Sequence, residues 1–339
     1  MPSMQPRAAP AGPASSERAP SLAAPAMSAG IVILDKPSGL GSNAALGRLK
    51  RLLGEPKMGF LGTLDPLASG VLPVFLGKAT RLIPLFEGLP KTYRVTLKLG
   101  ERTDTFDALG KVVERRALGD LTEQRVREAI LGRAGRQRQA APAYSAIKVQ
   151  GVPAYKLAWR GEAVPERIRE VELLDLAVEY VRLPEATFRV TCSAGTYVRS
   201  LVDELGLALG PGAHVTALRR LACGRLFTLA DSVTLESLEQ SLREGQKGLV
   251  RNPAAYLPEF APLIVTAETE LQLRDGKTIP LEPPAKVQVD GAARDGCAEG
   301  WAPGRKVKAL GRMGNLIAIG EVVLVTPAQL GFRPTRVLI

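Results

Sequence analysis

The chain reads as an α+β protein: a mixed, largely antiparallel central sheet flanked by helices, followed by a small β-rich module. Strand-like and helix-like segments are interleaved without the regular strand–helix–strand alternation of a parallel α/β sheet. The pattern changes near residue 262, beyond which apolar runs are short and turn dipeptides recur at Asp275-Gly276, Asp290-Gly291 and Gly314-Asn315. The 339 residues leave room for roughly two domains of about 150 residues each. A hydrophobic content of 45% is enough for a sizeable core, which excludes wholesale disorder.

Residues 1–28 are mostly Ala, Pro and Ser, with only Arg7, Glu17 and Arg18 charged. So little apolar material cannot offset its ordering entropy, so a disordered tail is expected there, with Met27 as an alternative start. Ile31-Val32-Ile33-Leu34 is a fully apolar strand, and Asp35-Lys36-Pro37-Ser38-Gly39 has turn chemistry. Ser42 is placed to cap a helix that gathers Leu46, Leu49, Leu52 and Leu53 on one face and closes at Gly54. Residues 55–80, rich in Gly and Pro, read as structured loop. From Tyr93 to Leu99 the chain alternates, with Tyr93, Val95, Leu97 and Leu99 on one face and Arg94, Thr96 and Lys98 on the other, as in a half-buried strand. Helix signals return at 122–131 and 196–209, and strand signals at 171–181, 187–192 and 214–221. The expected division is a tail at 1–28, a main domain at 29–262 and the β-rich module at 263–339.

Basic residues exceed acidic ones by 11. The module holds ten basic and eight acidic residues and the tail adds +1, so +8 falls on the main domain. A polyanionic partner is expected there. No apolar run reaches the roughly 18–20 residues of a bilayer-spanning helix. Cys192, Cys223 and Cys297 are far apart and form no C-x-x-C pair, which argues against a disulfide scaffold or a zinc finger and for a reducing, cytoplasmic setting. His214 is the single histidine, and it reads as a structural residue at a strand end rather than as part of a metal centre or a Ser-His-Asp triad. Two nucleotide motifs fail. The stretch Gly70 to Lys78 has glycines seven apart and no Ser or Thr after the Lys, so it cannot wrap phosphates. Gly39-Leu40-Gly41-Ser42-Asn43-Ala44 fits G-x-G-x-x-A. However, four residues separate it from the strand, and no second strand ending in an acid follows the helix.

The most informative stretch is Gly62-Thr63-Leu64-Asp65-Pro66-Leu67-Ala68-Ser69-Gly70. Its glycines permit a tight backbone path, and Pro66 bars a regular helix before it, so the Asp65 carboxylate is presented on a loop among apolar neighbours. Alone this is an ordinary Asp-Pro turn. Three other stretches alter that reading. Gly195-Thr196-Tyr197-Val198-Arg199-Ser200 opens a helix and offers Arg199 as a fixed guanidinium for a partly buried carboxylate. Lys91-Thr92-Tyr93-Arg94 starts the alternating strand, where Tyr93 can stack on a base. Arg102-Thr103-Asp104-Thr105-Phe106-Asp107 supplies polar and acidic groups just after it.

Together with Ile31–Gly39 (IVILDKPSG), Pro142–Lys148 (PAYSAIK) and Gly212–Leu221 (GAHVTALRRL), these stretches resemble, in order, bacterial tRNA pseudouridine-55 synthases of the TruB type. The resemblance covers about residues 30–230 and, more weakly, a C-terminal module similar to a PUA-type RNA-binding domain. It implies a pseudouridine synthase fold with a β-barrel-like PUA module, and isomerisation of a flipped-out uridine in the T-loop of tRNA. The N1–C1′ bond is replaced by C5–C1′, with no atom gained or lost, so neither cofactor nor metal is implied. Asp65 is the implied catalytic carboxylate; whether it attacks the sugar or acts as base or electrostatic stabiliser stays open. The resemblance further implies that Arg199 orients Asp65 and that Tyr93 stacks on the base and helps move a proton at C5. It implies that Asp107 contacts the flipped nucleotide, that Lys36 supports the active site or the RNA backbone and that Leu218 packs near the base, with Tyr197 and Lys148 as further substrate-binding candidates. Arg133, Arg136, Arg138 and Lys148 fall in a Gly/Gln/Ala-rich stretch at about 133–160, expected as a mobile basic insertion that closes over RNA.

One position departs from the pattern: Phe60 stands where the family usually has His. Phe60 cannot titrate or donate a hydrogen bond, so it is expected to act on RNA by shape and stacking. The expected partner is the T-arm of tRNA, met by a monomer without membrane, metal or guide RNA. The rival readings are a non-catalytic RNA-folding factor, a dinucleotide-binding oxidoreductase resting on Gly39 and Gly41, and a guide-RNA-dependent relative.

Overall fold

The computed structural model describes residues 29–145, 147–246, 248–281, 301–327 and 329–339; the tail at 1–28, the Asp290-Gly291 turn and Cys297 lie outside them. The chain opens with β1 (Ala29–Lys36), α1 (Ser42–Leu53), β2 (Met58–Phe60), β3 (Ser69–Gly77) and a short α2 (Ile83–Phe86). Next come β4 (Lys91–Leu99), β5 (Glu101–Thr103), β6 (Val112–Arg115), α3 (Glu123–Leu131) and β7 (Gly135–Ala140). A small hairpin, β8 (Lys148–Val149) and β9 (Val152–Pro153), leads into α4 (Ala154–Trp159). Then follow β10 (Ile168–Arg182), β11 (Glu185–Cys192), α5 (Val198–Leu209), β12 (Ala213–Cys223), β13 (Phe227–Thr228) and α6 (Leu235–Arg243). The C-terminal part holds β14 (Ala261–Ile264), α7 (Ala267–Arg274), β15 (Ile279–Pro280), β16 (Lys306–Leu310), β17 (Leu316–Thr326) and β18 (Gln329–Val337).

Nine strands form the central sheet, in the order β1-β3-β12-β4-β11-β10-β7, with β2 on β3 and β13 on β12. Among the described residues every pairing in it is antiparallel except one: Arg219 and Arg220 of β12 run parallel to Ser69 and Gly70 of β3. The fully apolar run of β1 follows from burial on both faces. Val32 and Leu34 join the core under α1, α3, α5 and α6, while Ile31 and Ile33 point to the opposite core with Phe75, Phe86 and Phe227. The expected alternation of β4 holds: Val95, Leu97 and Leu99 are buried.

Four local expectations need correction. Asp35 and Lys36 continue β1, paired with Val71 and Gly70, and the turn begins only after them. Ser42 is not the cap of α1. Gly41 takes that position, and the Ser42 hydroxyl is engaged with Leu64 instead. The stretch 55–80 contains β2 and the nine-residue β3 rather than loop alone. Pro73 obscures β3 in the sequence, since proline cannot donate to a ladder. It is tolerated because its backbone polar edge lies just past the end of β2, where its carbonyl accepts from Leu61 N at 2.9 Å and no donor is required. Finally, part of the expected mobile insertion is a regular edge strand, with Gly135–Ala140 in register with β10 from Leu173 to Ile168.

The C-terminal strands form a curled five-stranded sheet, β14-β16-β17-β18-β15, in keeping with a PUA-like module. Its own core includes Val265, Leu273, Val307 and Phe332. It is also welded to the main sheet. Leu316, Ile319 and Leu338 pack into the core that holds Ile31 and Phe75, and Lys308 Nζ donates to the carbonyls of Ala254 and Leu257 at 3.1 and 2.9 Å.

Candidate active site

Asp65 sits on the loop that joins β2 to β3. Its backbone is pinned on both sides by the segment after β1. Ser42 Oγ accepts from Leu64 N at 2.8 Å and donates to Leu64 O at 2.9 Å. Gly39 N donates to Pro66 O at 2.8 Å, and Ser38 Oγ to Leu67 O at 2.7 Å. Gly62 and Gly70 bracket the loop at φ 67° and 101°, backbone that only glycine adopts readily. The loop therefore holds one geometry before any ligand arrives.

Arg199, in the first turn of α5, meets it from across the fold. Its Nε donates to Asp65 Oδ2 at 2.8 Å and its Nη2 to Asp65 Oδ1 at 3.2 Å. The other guanidinium bonds go to the carbonyls of Thr105 (2.7 Å) and Tyr144 (2.9 Å). The guanidinium is 4% exposed and the carboxylate 35%, so the arginine lies behind and the aspartate faces outward. The start of α5 is itself fixed by Gln139 of β7, which accepts from Tyr197 N and donates to Tyr197 O.

Asp65 opens on a cavity of about 410 Å³, in the roughly 300–1,000 Å³ range of small-ligand sites. Tyr93, Tyr197, Leu218 and Arg199 line it, together with Arg220. Tyr93 projects from β4, where burial pushes its phenol up to about 12 against the opposing pull of Arg220. Tyr197 carries the Arg169 guanidinium 5.6 Å from its ring centroid. Leu218 lies in β12 opposite Val95.

Of the other expected site residues, Lys36, Asp107 and Phe60 do not line the cavity. Lys36 is fully buried and cannot reach an RNA backbone; its ammonium donates to the carbonyls of Pro37 (2.8 Å) and Leu40 (2.5 Å). It braces the segment that pins the Asp65 loop, and burial lowers it to about 8 despite the nearby Asp65 charge. Asp107 is buried too and does not line the cavity. Its Oδ1 accepts from Thr105 Oγ1 and Leu109 N, and its Oδ2 lies 3.7 Å from Arg199 Nε, so it supports the arginine from behind. Phe60 packs against the main core from β2, opposite Val74, and does not line the cavity. Arg136 is exposed on β7, 3.8 Å from Glu172. Lys148 stands in β8 opposite Pro153, its side chain outside what is described. His214 is structural, with Nδ1 3.0 Å from Glu101 O.

Sequence reasoning missed Ser42 as the loop's anchor, Gln139 and Arg220. Gln139 lies in none of the family motifs, and Arg220 falls inside GAHVTALRRL without a role assigned to it. Their one signal is a polar side chain on the inward phase of a strand.

A family model described as TruB family pseudouridylate synthase (N terminal domain) matches residues 50–198. A second, described as tRNA pseudouridylate synthase B C-terminal domain, matches residues 199–259. A protein of Syntrophotalea carbinolica named tRNA pseudouridine synthase B is 44% identical over 239 residues, 70% of this chain and 78% of its own. The chain belongs to the TruB family. A TruB-family relative from Geobacter sulfurreducens with the same name is 38% identical over 293 residues, covering 86% of this chain and 93% of its own. In fold, the TruB-family chain also resembles a chain of an H/ACA RNP bound to a substrate RNA containing 2′-deoxyuridine. The TM-score is 0.62 at 22% identity, over 91% of this chain and 85% of that one. A chain of a Cbf5-Nop10-Gar1 complex matches equally well, at TM-score 0.62, 24% identity and the same coverage.

Proposed function

We propose that the chain converts uridine to pseudouridine at position 55 in the T-loop of tRNA, acting as a stand-alone cytoplasmic monomer without a guide RNA. The observation that carries the reading is the Asp65 carboxylate held at two oxygens by a buried guanidinium and turned toward an open cavity. Membership of the TruB family supports the activity, and 38–44% identity to proteins named tRNA pseudouridine synthase B supports tRNA as substrate. The guide-dependent alternative rests on a likeness of fold at 22–24% identity.

A uridine stacked inside folded RNA cannot reach Asp65. It must be extruded, which costs a few kcal/mol that contacts inside the pocket have to offset. The main domain's excess of positive charge draws in the phosphate backbone. Residues 29–262 serve as the catalytic domain and 263–339 as the RNA-binding module. Once in the cavity, the uracil lies against the Tyr93 ring and Leu218, with Tyr197 at its edge. Asp65 faces the sugar. Cleaving N1–C1′ builds positive charge at the anomeric carbon, and a carboxylate held there stabilises that charge, takes a sugar proton or bonds to it reversibly. The freed ring then turns to present C5, C5–C1′ forms, the C5 proton leaves and N1, released from the sugar, takes up a proton. The sum is an isomerisation in which no atom or electron is exchanged with a cofactor.

The deciding experiment uses Asp65→Asn on a bare T-arm hairpin. The wild type forms pseudouridine, while the variant binds the hairpin and forms none. A fully active variant excludes the mechanism, and a wild type that refolds RNA without modifying it points to a folding factor instead.

A further inference from the structure

Arg220 is fully buried, yet among the described residues its side-chain hydrogen bonds go to main-chain carbonyls and none to a carboxylate. Its Nε donates to Val71 O at 2.6 Å, and its Nη2 to Gly62 O at 2.9 Å and Leu61 O at 3.4 Å. Leu61 and Gly62 enter the Asp65 loop, and Val71 leaves it. One guanidinium thus ties the two ends of the loop together at its base. The place is set by topology. β12 runs beside β3 for only two residues, at Ser69 and Gly70, and β2 takes up the ladder only from Val74. Between them the Val71 carbonyl is left outside both ladders, and Arg220 Nε takes it. A planar fork of donors can reach both flanks at once, whereas a lysine ammonium cannot.

Arg220 also stands opposite Tyr93 in the β12–β4 register, and both side chains line the cavity. Arg219, the preceding residue, points the other way and pairs with Asp35 at 2.6 Å, as strand alternation requires.

We propose that Arg220 is a positioning residue that ties the two ends of the Asp65 loop together beside Tyr93, its cross-strand neighbour, so that carboxylate and stacking ring are held as one unit. This rests on the reading of the site as a pseudouridine synthase centre. Misplacing reacting groups by about 1 Å costs on the order of 100-fold in rate, and that is the loss expected here.

The test measures kcat, KM and thermal midpoint for Arg220→Ala and Arg220→Lys on T-arm RNA. Arg220→Ala should lose about 100-fold in kcat with KM nearly unchanged. Because the side chain lines the cavity, the vacated space is reachable, and millimolar guanidinium should restore part of the rate. Tetramethylammonium at equal ionic strength should not, and neither salt should rescue Asp65→Asn. A merely structural arginine would lower the thermal midpoint without this rescue, and that result overturns the proposal. Should Arg220→Ala not fold, Arg220→Lys decides: a fold-competent variant with reduced kcat at constant KM supports the lock, and full activity overturns it. A wild type that forms no pseudouridine defeats the underlying reading whatever the variants do.

Discussion

Arg199 and Asp65 stand 134 residues apart in sequence and meet through two hydrogen bonds, at 2.8 and 3.2 Å. The arginine is buried and has further bonds to Thr105 O and Tyr144 O, with Asp107 behind it. It therefore has one rotameric solution, and the carboxylate inherits that precision. Replacing it by methionine removes the orienting fork and strands the buried Asp107 carboxylate. Arg199→Met is expected to lose about 3–5 kcal/mol of stability, the scale for breaking a buried pair, checked by urea unfolding. Arg199→Lys keeps the charge but not the fork. Its signature is a kcat reduced by about 100-fold with a smaller change in tRNA affinity.

The Tyr93 phenol, pushed up to about 12 by burial, stays protonated throughout the neutral range. Its folded pKa lies above the ordinary tyrosine value, so the folded state holds the proton more tightly and loses stability only as pH rises from about 10 through 12. The rate should show no inflection from tyrosine ionisation below about pH 11. Ultraviolet titration of wild type and Tyr93→Phe should count the same number of phenolates up to that pH. A phenolate at Tyr93 near neutrality would contradict the assignment.

Lys36 gives a pH dependence of the opposite sense. Burial lowers its ammonium to about 8, so between that pH and the ordinary value of 10.5 the unfolded chain binds more protons than the folded one. Its contribution to stability must rise with pH across that window. The gap in thermal midpoint between wild type and Lys36→Met should move in favour of wild type from pH 8 to pH 10, after matched melts in one buffer series. A gap independent of pH would show that Lys36 carries no such shift.

Phe60 occupies β2 just ahead of the loop that carries Asp65, half-buried against the main core. If its exposed face stacks on RNA, Phe60→Ala should weaken tRNA binding by about 1–3 kcal/mol, the scale of one base–aromatic contact. Filter binding against the T-arm hairpin measures it. An unchanged Kd and turnover would leave Phe60 a core residue only.

Much of this architecture was legible from short-range pattern. The alternation of Tyr93 to Leu99, the Gly54 cap of α1 and the helix carrying Arg199 all follow from local chemistry. Asp65 and Arg199 were legible as a pair only through the ordered motifs around them, since nothing in spacing brings residues so distant together. What escaped notice is what tertiary pairing decides. β3 was hidden by Pro73, whose missing donor matters only if a neighbour needs it. The edge strand β7 was hidden by its polar composition, GRQRQA, and is held by its ladder to β10. The resemblance implied Asp107 as a contact to the flipped nucleotide and Lys36 as a support of either the active site or the RNA backbone. Asp107 is found behind Arg199 rather than in the cavity, and Lys36 takes the supporting alternative.

Gly70 tests the crossing that makes this site possible. It sits at φ 101° exactly where β12 passes in parallel, and a methyl added there would lie 2.1 Å from Arg220 O and 2.9 Å from Arg220 N. Both obstacles are backbone inside the sheet, so neither can rotate away, and the positive φ adds strain of its own. Gly70→Ala should therefore cost more than an ordinary core substitution, about 4 kcal/mol or more by urea unfolding. The contrast is Gly54, which caps α1 at φ 65° with nothing within 4 Å of the added methyl. Gly54→Ala carries only the left-handed backbone penalty, about 1–2 kcal/mol. Equal losses at the two sites would mean that β3 and β12 can separate, and that the loop bearing Asp65 is not fixed by the crossing beneath it.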